Sequence, residues 1–145
     1  MVKSLPERFL MPQEVEVLYI LPAIRKAFAK ALKREGLLQK AIAELLHVTE
    51  AAVSQYFSGK RAGQVAFDRQ TKRAIASAAK RVMREGNFLL ESQRILELVH
   101  KKRVVCTAHH KLGGVPRGCD ACYVCSSQKG GIEFNIGCGR KARLV

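Results

Sequence analysis

The side chains able to do coordination or redox chemistry are crowded into one end of the chain. All five cysteines, Cys106, Cys119, Cys122, Cys125 and Cys138, fall in the last 40 of 145 residues. Three of them form a C-x2-C-x2-C run, Cys119-Asp-Ala-Cys122-Tyr-Val-Cys125. Thiolates three residues apart in a tight loop can face one small volume. A [4Fe–4S] cube takes four thiolates, commonly three local and one remote. The remote ligand is Cys106 or Cys138, each separated from the run by 12 residues. Cys106 is preferred, because it abuts the helical body and would carry the state of a cluster into it. Zinc is the alternative. Cys106-Thr-Ala-His109 and Cys119-Asp-Ala-Cys122 are two short-spaced pairs that would close a tetrahedral Cys3His site, leaving Cys125 and Cys138 unused. Lys111, Arg117 and Lys129 flank the thiols and favour their ionised form. An odd cysteine count and the absence of an apolar leader in Met1–Arg8 argue against the disulfide framework of a secreted protein.

Charge narrows the class of partner. Lys plus Arg number 26 against 12 Asp plus Glu, a net +14. The excess is uneven: residues 1–58 carry eight bases and six acids, residues 59–86 eight and two, and residues 100–145 nine and two. Such a field suits a polyanion. An anionic membrane surface is a poor match, because the basic helices lack an exposed aromatic face. No apolar run approaches the roughly 20 residues that cross a bilayer. A cytoplasmic protein is therefore expected. No nucleotide loop, carboxylate pair or nucleophile–base constellation argues for an enzyme.

Positioning these groups falls to helices. Leu18, Leu21, Ile24, Phe28 and Leu32 recur at helical spacing, with Pro22 predicting a kink near Leu21 and Gly36 a stop. A second stripe follows at Leu38, Ile42, Leu45 and Leu46, and a third element opens at Thr49. The pattern is helical again from Phe67 to Glu85, with Ile75, Ala79, Val82 and Met83 on one face and Gly86 as terminator. A further helix is expected from Glu91 to about Lys102, burying Ile95, Leu98 and Val99. After Arg103 glycine becomes dense, and Ile132, Phe134 and Ile136 alternate as in a half-buried strand. The expectation is a mainly α fold: a helical body over residues 1–103, and a small, irregular, metal-stabilised cysteine-rich tail over 104–145.

Within the body, Gln39 to Arg61 reads QKAIAELLHVTEAAVSQYFSGKR. Two short helices packed steeply need a small residue at their closest approach, supplied by Ala43. They need inward apolar residues, supplied by Ile42, Leu46, Val48, Val53 and Tyr56. A tight corner falls at His47-Val48, and Thr49 is placed to cap the next helix. This segment resembles the helix-turn-helix of the Cro and lambda-repressor class, with His47 at the corner where that class usually has glycine. Histidine tolerates positive φ better than most side chains do. The larger stretch from Val15 to Arg61 is similar to archaeal predicted transcription regulators that pair this unit with a cysteine-containing tail.

The resemblance implies that Glu50–Phe57 enters the major groove of double-stranded DNA, presenting Glu50, Ala51, Ser54 and Gln55. Gln55 would pair with adenine, and Ser54 with a base or a phosphate. Gln39 takes the position that the class uses against a phosphate, and Ser58, Lys60 and Arg61 would neutralise the backbone. With Thr49, these residues make up the expected DNA-contacting set. Tyr56 reads as core rather than as a base-stacking group. The resemblance implies a sequence-specific transcription regulator, and the cysteine run adds the expectation that it senses redox or iron state through a cluster; the alternative is a DNA-binding protein stapled by zinc. A homodimer is expected on paired half-sites, with Ile95, Leu98 and Val99 as the first candidates for its surface.

Overall fold

Most of the apolar residues between Val15 and Ala108 are drawn into one core by helices that begin and end on local signals. The computed structural model describes residues 10–112, together with Val115 and Cys119. In chain order the helices are α1 (Pro12–Val15), a π-helical turn (Glu16–Ile20), α2 (Leu21–Arg34), α3 (Gln39–Leu45), α4 (Glu50–Phe57), α5 (Arg69–Glu85), α6 (Phe88–Lys101) and α7 (Val104–Leu112). No strand occurs among the described residues. The strand expected at Ile132–Ile136 lies outside them.

The kink expected from Pro22 takes the form of the π turn, which ends just before the proline's helix begins. Pro22 has no N–H to offer the preceding turn, and wider i→i+5 bonding accommodates that loss. The turn also shifts the buried face by one residue. Val15 and Ile20, five apart, are both fully buried, and Ile24 and Phe28 resume four-residue steps. Leu18, expected on that face, is 55% exposed. Leu38 likewise departs from its stripe, because it is the residue before α3 and its side chain stays in solvent.

Helix α2 is the central element and packs against α3, α4, α5 and α6. It ends in a Schellman motif, with Gly36 at φ 92°, Leu37 N–H donating to the Leu32 carbonyl and Gly36 N–H to that of Lys33. Phe28 meets Phe88 edge to face, with centroids 5.2 Å apart. Asp68 caps α5 by accepting from Thr71 N–H at 2.8 Å, Asn87 caps α6 by accepting from Leu90 N–H at 3.0 Å, and Gly86 ends α5 in the left-handed region. Between α5 and α6, Glu91 is 1% exposed and carries two guanidinium groups, Arg81 at 2.7 Å and Arg94 at 2.6 Å.

Two expectations are corrected by this packing. The first is the boundary at 103: the chain does not turn irregular there, because α7 continues the body to Leu112. Val105 and Ala108 are buried against it, and α7 packs on α1, the π turn and α6. Arg103, at φ 58°, makes the corner between α6 and α7. The second is the dimer surface. Ile95 and Val99 are 3% and 0% exposed, and Leu98 is half-buried, so their apolar area is already used inside the chain.

Candidate nucleic-acid interface and cysteine segment

The unit from Gln39 to Phe57 is a helix, a four-residue turn and a second helix. The turn is again a Schellman motif: Val48 N–H donates to the Ala43 carbonyl at 3.0 Å and His47 N–H to that of Glu44 at 3.2 Å. His47 holds the left-handed position at φ 52° that its place at the corner predicted. The 3.2 Å bond from Ala52 N–H to the Thr49 hydroxyl starts α4. Ala43 is buried where the two helices approach, with Ile42, Leu46, Val53 and Tyr56 behind it. Tyr56 is 1% exposed and belongs to the core, and Phe57 is half-buried.

The remaining members of the expected contact set lie as follows. Thr49, Glu50, Ala51, Ser54, Gln55, Ser58, Lys60 and Arg61 are all exposed. The outer face of α4 is therefore short side chains around one amide and one carboxylate, with no bulky group to hold a partner away. Gln39 is half-buried, and its Nε2 donates to the Glu50 carbonyl at 2.9 Å. It thus ties the start of α3 to the start of α4, a role that its type and spacing alone did not reveal. Ser58 Oγ donates to the Gln55 carbonyl at 3.3 Å, and the Arg61 guanidinium lies over the Tyr56 ring at 5.8 Å. Lys26 Nζ on α2 donates to the Ala62 carbonyl at 3.3 Å, holding the loop that carries Lys60 and Arg61. Ala62 has φ 59° and is not a glycine, so nothing in its residue type announced that tight loop.

Of the cysteine segment, Cys106 is a half-buried thiol on α7 and Cys119 is also half-buried; neither is in a disulfide. Soft thiolates suit iron or zinc equally in type. Among the described residues no three His, Cys, Asp or Glu side chains gather as a metal site. Cys122, Cys125 and Cys138 lie outside the described residues, as do Arg117 and Lys129. His109, the alternate ligand, is 7% exposed, and its Nε2 donates to the Leu10 carbonyl at 2.6 Å. That ring anchors the chain before α1, and coordination through Nε2 would first have to break the bond. His100 meets the Glu16 carboxylate of the π turn at 2.8 Å. Two histidines from the C-terminal helices thus hold residues 10–16.

No helix among the described residues is long and apolar enough to cross a membrane. No family model, curated protein or solved structure matches this chain.

Proposed function

We infer that the protein is a sequence-specific DNA-binding transcription regulator that reads duplex DNA with α4, and that its cysteine segment binds an iron–sulfur cluster whose state regulates that binding. The observation that carries the first part is the α3–α4 unit. A tight left-handed corner and a buried alanine set the two helices together, and α4 keeps Glu50, Ala51, Ser54 and Gln55 free on its outer face. Lys60 and Arg61 follow on a loop tied to α2 and supply the charge for phosphates. The cluster is supported by the C-x2-C-x2-C run and by a thiol at Cys106 at the edge of the helical body. Two copies on a two-fold operator would give the specificity that one short helix lacks, with a pairing surface outside Ile95–Val99.

Selection of bound duplexes from a random library tests the reading. The wild-type chain should enrich a defined motif. Ser54→Ala or Gln55→Ala should relax the choice at a few positions, costing about 1–3 kcal/mol each. Lys60→Ala or Arg61→Ala should weaken all sequences alike and flatten the salt dependence. Failure of the wild-type chain to enrich any motif would reject sequence-specific reading by α4.

A further inference from the structure

Helix α5 carries six cations and one acid over its 17 residues. Arg81 is taken by Glu91, but the others are differently placed. At 3.6 residues per turn, Arg69, Arg73, Lys80 and Arg84 fall within a sector of about 60° of the helix circumference. That sector lies opposite Ile75, Ala78, Ala79 and Val82, all 1% exposed or less. The four make a straight row about 22 Å long at 1.5 Å per residue. All four are exposed. The guanidinium groups of Arg69, Arg73 and Arg84 have no hydrogen-bond or ion-pair partner among the described residues. Lys80 reaches Glu35 at 3.7 Å, with 64% of its side chain in solvent.

This is not how an ordinary solvated helix face is built. Helix α6 sets Glu97 against Lys101 at 2.8 Å on its outer side. On α5 the corresponding i, i+4 pairs are Arg69 with Arg73 and Lys80 with Arg84, which repel and oppose the helix. A polyanion laid along the row would turn that repulsion into binding.

We propose that this row is a second phosphate-binding face, distinct from α4, which holds the sugar–phosphate backbone of duplex DNA without reading its sequence. The proposal rests on the reading of the protein as a duplex binder. A straight row of this length can lie along several successive phosphates of one strand, so all four cations can be occupied. An anionic bilayer fits worse. A helix lying on a membrane embeds an apolar face, and the apolar face of α5 is spent in the core. On the row's side of the helix, the residues between its two halves are the small Ala76 and Ser77.

The test titrates the full chain against a labelled random-sequence duplex of about 30 base pairs, from about 50 to 200 mM salt. Replacing Arg69, Arg73, Lys80 and Arg84 together by Gln should lower the slope of log affinity against log salt by about 3 to 4, at about 0.9 per phosphate. The half-variants Arg69→Gln/Arg73→Gln and Lys80→Gln/Arg84→Gln should each remove about half of that. A charge-keeping variant, with Lys at the three arginines and Lys80→Arg, should retain the wild-type slope. Thermal melting of the Gln variants should be no lower than wild type, since repulsion is relieved. An unchanged slope in the Gln variants, while Lys60→Gln/Arg61→Gln lowers it, overturns the row and leaves the α4 reading standing. A slope lost with the row although Gln55→Ala changes no sequence preference supports the row and removes α4 as the reader. A wild-type chain that ignores the duplex overturns both. Binding to phosphatidylserine vesicles that depends on the row and exceeds duplex binding assigns the face to a bilayer and overturns the proposal.

Discussion

His47 adopts the backbone conformation for which glycine is the usual choice, at φ 52°. The left-handed region brings Cβ of an L-residue toward the following carbonyl, so a side chain there costs stability that glycine would not. His47 is exposed, so its removal leaves no cavity. His47→Gly should therefore raise unfolding stability by about 1 kcal/mol. The urea midpoint should move up without a change in slope. The sequence marked this position as a corner through the helical stripes on either side. Residue type did not mark Ala62 or Arg103, which also have positive φ, at 59° and 58°. Those two are set by what their neighbours do: Lys26 grips the Ala62 carbonyl, and Arg103 lies where α6 must give way to α7. Gln39 teaches the same lesson in the site itself. Its position suggested a phosphate, while its Nε2 donates to the Glu50 carbonyl, a partner eleven residues away that only the folded turn brings close.

At the scale of elements, the pairing of α5 with α6 depends on a charge inside the protein. Glu91 is nearly without solvent, and its hydrogen bond to Arg81, followed by the charges of Arg81 and Arg94, holds its carboxyl below its ordinary value of 4.5 against the opposing effect of burial. A carboxylate with a lowered folded pKa adds stability that is present above the unfolded value and is lost as pH falls through the folded one. Glu91→Gln should cost about 3 kcal/mol at neutral pH, because it leaves Arg81 half-buried without its counter-ion. The gap between variant and wild type should narrow as pH drops below 4.5 in denaturant titrations. No periodicity foretold that pair, since Glu91 read as the polar start of a helix rather than as an inward side chain. The long helices were legible because apolar spacing, Gly36 and Gly86 agreed. The π turn was not, because a five-residue step from Val15 to Ile20 breaks the three-and-four rule by which the stripe was read. Helix α7 was hidden by its setting: a β-branched Val104-Val105 pair lies just before a glycine-rich stretch, and its stability comes from packing on α1 rather than from its own propensity.

For the whole molecule, the question is how a cluster held by cysteines would reach α4. The chain provides one continuous route of packed elements. Helix α7 bears Cys106 and packs on α1 and the π turn, the turn runs without interruption into α2, and α2 packs against α4. His109 fastens the near end of this route through the Leu10 carbonyl, and His100 fastens the π turn through Glu16. A change in how α7 is held would thus press on α2, the helix against which α4 packs. A ligand shifts such an equilibrium only by its differential affinity for the two states. If one cluster is bound by Cys106, Cys119, Cys122 and Cys125, changing any of the four to Ser should abolish its visible absorbance. Cys138→Ser and His109→Ala should keep it; a zinc site would instead require His109 and spare Cys125. With its cluster intact, the anaerobically purified wild type should differ from its cluster-free form in operator affinity by at least about tenfold, or 1.4 kcal/mol, at one salt concentration. The His109→Ala protein should lose most of that difference while retaining the cluster, because the first joint of the route is cut. Equal operator affinities for both forms of the wild type, each folded, would leave the cluster a staple. A His109→Ala protein that responds as fully as wild type would send the signal by some path other than α1 and α2.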